Sequence, residues 1–178
     1  AFAREGVGTP EEFGLRLARH FAGSYPWIHG ARVAVDSYGW ERIPVGGVEH
    51  DHSFRKAGVE VRTAVVTVHE DEAYVIAGLT DLVVLKTTGS EFWGFPRDRY
   101  TTLAETQDRI LATAVTARWR YATTEVDFDA SYADVRAALL ETFAWTHSLP
   151  LQQSLYAMGE AVLEQNRCVA EIRLSMPN

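Results

Sequence analysis

Apolar residues near the start of the chain repeat with helical spacing. The Thr-Pro-Glu-Glu sequence at residues 9–12 predicts a helix start, because threonine suits the N-cap, proline the first turn, and the second glutamate completes a capping box. Phe13, Leu17 and Phe21 then fall on one helical face, and Gly23 marks the end. We therefore expect an amphipathic helix with these three residues on its apolar face.

The middle of the chain changes to the alternating pattern of half-buried strands. Val33 and Val35 alternate with polar neighbours, and residues 61–68 and 74–85 form two strand-like runs around a polar turn at 69–72, which predicts a hairpin. A longer strand is predicted over residues 110–121. Its apolar residues share one parity: Leu111, Val115, Ala117, Trp119 and Tyr121.

Two further helices and a last strand follow. Ser131 is a candidate cap for a helix, and Ser148 or its neighbours begin another. Their apolar stripes are Tyr132, Val135, Leu139 and Phe143 in the first, and Leu151, Leu155, Met158 and Val162 in the second. Residues 170–176 alternate cleanly as a strand. Helices grouped after strands predict an α+β fold with an antiparallel sheet.

Composition and charge narrow the class of protein. The chain has 178 residues, 47% of them hydrophobic and 23% charged, with a net charge of −7. These values indicate a globular domain and argue against a general binder of nucleic acid or anionic membranes. Cys168 is the sole cysteine, so no internal disulfide framework is expected. Without a recognisable leader or membrane span, we expect a cytoplasmic protein. Since the sequence opens without Met and ends directly after a strand pattern, we expect a segment truncated at both ends.

Common catalytic motifs are missing, and two polar clusters have ordinary interpretations. His50 and His52 lie on the same side of a predicted strand, where they suit either a shared metal or a polar edge or subunit contact; the lack of a third ligand at a recognisable spacing disfavours the metal. Asp127 and Asp129 precede a helix, where acidic residues stabilise the N-terminus. We therefore interpret these aspartates as capping residues.

Four positions carry polar or aromatic side chains that could contact a ligand. Arg109 shares the parity of the apolar residues of the 110–121 strand, which suits an anionic ligand, a salt bridge with Asp108 or Glu105, or an exposed strand end. Gln152 lies in the first turn of a helix, and Asn178 has the parity of the last strand's apolar residues. Phe92 begins an aromatic loop, which suits either core packing or stacking on a flat ring. Together these residues indicate a pocket for a planar, anionic heterocycle.

Several longer stretches resemble urate oxidase (uricase), most closely its bacterial members. The resemblance spans nearly the whole chain, and long ordered matches are more specific than any short motif. The matching stretches are residues 50–54, 78–80, 84–95, 97–103, 105–106, 108–111, 151–152, 156–158 and 174–178.

The resemblance implies a tandem tunnelling fold, in which antiparallel sheets with helices on one face close into a barrel by oligomerisation. Residues 1–58 would be the C-terminal part of the first half, and residues 59–178 the second half without its last strand or strands. It also implies a homotetramer with active sites at subunit interfaces. The implied reaction is the oxidation of urate by dioxygen and water to 5-hydroxyisourate and hydrogen peroxide, without a metal or organic cofactor.

The family's substrate-binding residues match positions of this sequence one by one. The resemblance implies that Phe92 stacks on urate, that Arg109 holds one edge of the urate anion, and that Gln152 pairs with the opposite edge beside a backbone contact from Leu151. Asn178 would help hold dioxygen or water above the ring. The family's proton-relay lysine and threonine, with the aspartate beside that threonine, would lie upstream of this segment, and its histidine just beyond residue 178.

Two alternatives are open at this stage. A segment without the relay would bind urate or join an assembly without catalysing turnover. Another tunnelling-fold enzyme acting on pterins or GTP would use a metal or a set of Cys and His ligands, for which Cys168 gives little support.

Overall fold

The computed structural model describes residues 6–177. Within them the chain forms three helices and five strands. In chain order these are α1 (Pro10–Ser24), β1 (Gly30–Val45), β2 (Val48–His69), β3 (Glu72–Lys86), β4 (Leu111–Tyr121), α2 (Phe128–Trp145), α3 (Leu151–Gln165) and β5 (Val169–Ser175). Adjacent strands pair in an antiparallel sheet whose order is β1-β2-β3-β4-β5. The predicted hairpin and the two strands that follow it are confirmed.

The three helices cover one face of this sheet. Buried residues of all three helices belong to one hydrophobic cluster with the inward-facing side chains of β2, β3 and β4. The parity predicted for β4 is confirmed, since Val115, Ala117 and Trp119 are fully buried. The predicted division at residue 58 falls inside β2, and it stays a prediction.

Helix α1 begins where the sequence predicted but buries a different face. Thr9 and Glu12 form both hydrogen bonds of the capping box. The buried positions are Glu11, Gly14, Leu15 and Ala18, whereas Phe21 is 41% exposed, so the predicted apolar face is not the buried one. Small residues occupy the buried face because α1 lies close to the sheet. A Cβ added at Gly14 would come 2.7 Å from Cγ2 of Val66.

Helix α2 starts earlier than predicted. Asp127, not Ser131, is its N-cap, and the Asp127 side chain accepts a hydrogen bond of 3.0 Å from the backbone N–H of Ala130. The interpretation of Asp127 as a capping residue is thus confirmed. Asp129 instead forms an ion pair with Arg62 at 2.6 Å, which fastens the start of α2 to β2.

The distal half of the β1–β2 hairpin stands apart from the rest of the sheet. The pairing of β2 with β3 covers Val61 to His69, so the earlier part of β2 pairs with β1. Apolar side chains on this hairpin arm are exposed: Tyr38, Trp40, Val45, Val48 and Phe54.

Candidate active site

The loop between β3 and β4 brings Phe92 and Arg109 together. Backbone hydrogen bonds of 2.8 Å join Phe92 and Thr106 in both directions, and the N–H of Arg109 donates to the carbonyl of Ser90 at 2.8 Å. These bonds fold the loop back on itself. As a result, the guanidinium carbon of Arg109 lies 4.9 Å from the centre of the Phe92 ring.

The guanidinium of Arg109 has no carboxylate partner among residues 6–177. Asp108 accepts hydrogen bonds from the Thr88 hydroxyl at 2.7 Å and from the Gly89 N–H at 2.9 Å, and the Thr88 bond contributes most to lowering the pKa of this carboxyl. Glu105 accepts from the N–H of Gly94 and pairs with Arg97 at 3.5 Å. The salt bridge that the sequence left open as an explanation for Arg109 is therefore absent from this part of the chain.

A buried polar atom of Arg109 is left unsatisfied. Its Nε is buried and has no hydrogen-bond partner within residues 6–177, and the same holds for the hydroxyl of Ser90. Leaving such a donor unpaired costs about 1–3 kcal/mol, and more when the group is charged. A cation of this kind beside an aromatic face suits an anionic, planar ligand.

The segment before α3 forms the second wall of the site. The N–H of Glu91 donates to the carbonyl of Ser148 at 2.7 Å, and the N–H of Ser148 donates to the carbonyl of Gly89 at 2.9 Å. Leu149 and Pro150 line a cavity of about 490 Å³ together with the aromatic loop residues 92, 93 and 95. That volume lies within the range of small-molecule sites.

Leu151 and Gln152 follow directly after this wall. Leu151 is buried at the start of α3, and Gln152 is exposed in the helix's first turn. Arg109 and these two residues do not line the cavity itself. Among the predicted substrate-binding residues, the structure thus places Phe92 against Arg109 and sets both beside the segment that leads into Leu151 and Gln152.

Asn178 lies outside the described residues. Its neighbour Pro177 accepts a hydrogen bond of 2.9 Å from the Thr113 hydroxyl, which ties the preceding chain to β4.

The polar contact between Glu91 and His147 was not predicted from the sequence. Nε2 of His147 lies 2.6 Å from Oε1 of Glu91, and the indole N–H of Trp93 donates to the other carboxylate oxygen. The hydrogen bond from His147 is the largest cause of the lowered pKa of Glu91. Since 56 residues separate the partners along the chain, no local spacing indicates this contact.

The candidate metal ligands do not form a centre within residues 6–177, where no group of three or more His, Cys, Asp or Glu side chains is placed to hold an ion. His50 and His52 lie on the exposed arm, where Nδ1 of His50 accepts a hydrogen bond of 3.1 Å from the backbone N–H of His52. Sγ of Cys168 lies 3.4 Å from the Ser131 hydroxyl.

A larger cavity of about 520 Å³ between α3 and β5 is less suited to an anionic heterocycle. Apolar side chains such as Leu155 and Ile172 line it together with Glu160 and Glu164, and none of the described residues in its lining is cationic. The lining of the aromatic-loop cavity also contains a carboxylate, Glu91, and no cation, but Phe92 in that lining lies against the guanidinium of Arg109, and this neighbour favours the aromatic loop as the candidate site. Separately, no helix in the described part of the chain is long and apolar enough to cross a membrane.

Comparison with known proteins identifies the family. The family model described as Uricase matches residues 12–67 and 75–178. A uricase of Arthrobacter globiformis is 56% identical over 178 residues, covering 100% of this chain and 58% of the relative. A uricase of Aspergillus flavus is 40% identical over 182 residues, covering 97% of this chain and 60% of the relative. The chain thus spans about 60% of the length of these curated relatives.

Solved structures agree with the sequence matches. The crystal structure of the Arthrobacter globiformis uricase superposes with a TM-score of 0.90 at 55% identity, covering 99% of this chain and 60% of that one. A uricase from Bacillus fastidious gives a TM-score of 0.81 at 28% identity, covering 93% of this chain and 56% of that one. The predicted α+β class with the tunnelling fold is confirmed. By sequence and by structure, the chain belongs to the uricase family.

Proposed function

We propose that the complete protein containing this chain oxidises urate with dioxygen and water. The observation that carries the proposal is the guanidinium of Arg109, which lies 4.9 Å from the Phe92 ring centre with Nε buried and unpaired within residues 6–177. Urate is a planar anion. It would therefore supply a ring for Phe92 to stack on and an anionic partner for the guanidinium of Arg109.

Each predicted residue has a physical task in this reaction. Phe92 would stack on the purine and fix its plane, while the fork of Arg109 donates two hydrogen bonds to one edge of the anion. Gln152 would pair with the opposite edge, next to a backbone contact from Leu151. Asn178 would donate to dioxygen or water above the ring.

The overall reaction balances in atoms and electrons. Urate loses two electrons and gains a hydroxyl group at C5 from water, and dioxygen takes up the two electrons and two protons to leave as hydrogen peroxide. The protons must be carried by groups placed for that task. We propose that the family's lysine, threonine and histidine do so from the part of the relatives' length that this chain does not cover.

We further propose that the active unit is a homotetramer whose sheets close into a barrel. The exposed apolar side chains of the hairpin arm support this assembly, because large apolar side chains exposed on one element are typical of protein interfaces. Trp40 is 63% exposed and Val48 is 71% exposed within a single chain. A second copy of the chain that covered this arm would remove both from water.

The test uses the full-length protein in air, without added metal and in the presence of a chelator. We expect loss of urate absorbance with formation of one hydrogen peroxide per urate. Arg109→Gln should lower kcat/KM by about 30-fold or more, because truncating one side of a charged hydrogen-bonded contact costs about 2–5 kcal/mol. Arg19→Gln, at an exposed position of α1, is the matched control and should leave kcat/KM unchanged.

Two results would contradict the proposal in different ways. A wild-type protein that leaves urate intact overturns the reaction itself. A wild-type protein that consumes urate while Arg109→Gln matches Arg19→Gln overturns the assignment of the site. The proposed assembly is tested by light scattering on the full-length protein as it elutes from a size-exclusion column, which should give the mass of four copies.

A further inference from the structure

The aromatic loop and the start of α3 are joined by a side-chain contact as well as by backbone. Glu91 precedes the ring of Phe92, and His147 lies a few residues before Gln152. Their side chains meet at 2.6 Å between Oε1 of Glu91 and Nε2 of His147. Since Phe92 and Gln152 are the proposed stacking and edge-binding groups, this contact links the two walls that would hold the substrate.

The Glu91 carboxylate is held from two sides. Its side chain is only 19% exposed, one oxygen faces His147, and the other accepts the indole N–H of Trp93. Asp108 also faces Glu91, and its charge opposes the ionisation of this carboxyl. Asp108 is itself occupied by the Thr88 hydroxyl and the Gly89 N–H. Glu91 therefore acts as a double acceptor at a fixed point of the loop.

Backbone hydrogen bonds join the same two segments of chain. The N–H groups of Glu91 and Ser148 donate to the carbonyls of Ser148 and Gly89, which forms a short parallel bridge. The bridge sets the separation of the two segments. The side-chain pair adds a second attachment between the two segments, one residue before Phe92, whose ring is also held by the Thr106 backbone bonds and by Phe95 at 4.5 Å between ring centroids.

We infer that Glu91 and His147 form a positioning pair that sets the Phe92 ring against the Gln152 end of the pocket, and so tunes binding of the planar anion. This inference rests on the proposed function. Glu91 lines the same cavity as Phe92, whereas His147 does not. Since neither residue is assigned a bond to the reacting atoms, the pair should act on affinity for urate more than on turnover.

Replacing Glu91 by glutamine separates positioning from bulk structure. An amide has one acceptor oxygen and one donor group, and the indole of Trp93 is a fixed donor. The oxygen of the introduced amide would accept from Trp93, and its NH₂ would then face Nε2 of His147. Nε2 accepts that bond only while the imidazole is neutral with its hydrogen on Nδ1. When the imidazole of His147 is protonated, its Nε2–H and the amide NH₂ are both donors and cannot form a hydrogen bond with each other.

The experiment measures the dissociation constant of urate for the full-length protein with dioxygen excluded, at a series of pH values from about 8 to about 6, over which urate stays an anion and histidine side chains commonly titrate. For Glu91→Gln we expect binding near that of the wild type at the upper end and weaker by about three- to tenfold at the lower end, the loss of one hydrogen bond. In Glu91→Gln/His147→Gln the second amide can reorient, so the pH-dependent part of the deficit should vanish.

The control for this experiment is a histidine far from the loop. His69→Gln, at the turn before β3 and therefore at the opposite end of that strand from the loop, should match the wild type at every pH. A Glu91→Gln protein whose affinity follows the wild type throughout overturns the positioning pair. So does a deficit that persists unchanged in the double variant, since that pattern reports a general structural defect. A wild-type protein that does not bind urate overturns the proposed function, and it is recognised before any variant is compared.

Discussion

Replacing Arg62 with alanine should lower the free energy of unfolding by more than the removal of an exposed ion pair would. Arg62 lies on β2 and pairs with Glu11 of α1 at 2.9 Å and with Asp129 of α2 at 2.6 Å. Its guanidinium also donates to the carbonyl of Phe128 at 3.2 Å and lies 4.3 Å from the ring centre of Tyr132. One side chain thus holds two helices on the sheet.

The magnitude follows from the burial of its partner. The Glu11 side chain is 0% exposed and that of Arg62 is 16% exposed. Removing the cation leaves a buried carboxylate without its counter-charge, which costs about 3–5 kcal/mol. Arg136→Ala is the matched control, because its pair with Glu60 is more exposed, with side chains 39% and 23% accessible. Because both members of this pair keep contact with water, its loss should cost less than the loss of Arg62.

The assay is urea unfolding of the full-length protein followed by tryptophan fluorescence at one fixed protein concentration. If the free energy of unfolding falls by about 4 kcal/mol and its dependence on urea (the m value) is about 2 kcal/mol per molar, the urea concentration at the unfolding midpoint falls by about 2 M. The deficit should also depend on pH with a definite sign. Burial, the largest influence on Glu11, raises its pKa above the ordinary 4.5 even beside Arg62.

Without Arg62 the pKa of Glu11 should rise further. A carboxyl with a raised folded-state pKa loses stability as the pH rises from its unfolded-state pKa through its folded-state pKa, so the deficit of Arg62→Ala is largest above the raised pKa of Glu11 and shrinks as the pH falls toward about 4.5. Adding Glu11→Gln should restore most of the loss. A deficit no larger than that of Arg136→Ala, or one that stays constant with pH, would refute the assignment of a buried, unpaired charge.

Two further predictions concern α1. Thr9→Ala removes the side-chain half of the capping box with Glu12 and should lower the free energy of unfolding by about 1 kcal/mol in the same urea assay. Gly14→Ala should destabilise by about 1–3 kcal/mol, because its new Cβ would lie 2.7 Å from Val66, and overpacking outweighs the better helix propensity of alanine. Gly23→Ala in the same helix has no atom of the described residues within 4 Å of its new Cβ and should instead stabilise by about 0.5–1 kcal/mol; equal effects at the two glycines would contradict this account.

The features predicted well from sequence are those that local chemistry determines. The capping box at Thr9 satisfies its donors within one turn of chain, so four adjacent residues specify the start of α1. The parity of β4 was equally clear, because alternation along a strand assigns each side chain to one face of the sheet. Neither inference needs knowledge of what lies opposite.

The buried face of α1 could not be derived in this way. Phe13, Leu17 and Phe21 form the most hydrophobic stripe, but the contact surface uses Gly14 and Ala18, which allow the helix to approach Val66 closely. The choice between a large-residue face and a small-residue face depends on the distance between layers. That distance is a property of the packed fold and is absent from the periodicity of one helix.

The site shows the same division between local and distant information. Parity alone indicated that Arg109 points inward, and its buried Nε agrees with that orientation. Whether Asp108 would neutralise it could not be read from adjacency, because Thr88 and Gly89 occupy that carboxylate from 20 and 19 residues away. Resemblance to a family, rather than spacing, supplied the expected roles of Phe92 and Gln152.

Contacts at the exit of β3 form a ladder that couples helix packing to the candidate site. Nζ of Lys86 donates to the carbonyl of Thr146 at 2.6 Å, and the next contacts along the loop join Ser90 to Ser148 and Glu91 to His147. Three successive steps thus fasten the loop to the connection between α2 and α3. Because Phe92, the proposed stacking ring, follows directly on this ladder, we expect a shift of the α2 C-terminus to change the plane of the ring. The packing of α2 should therefore matter for urate affinity even though no residue of α2 lines the cavity.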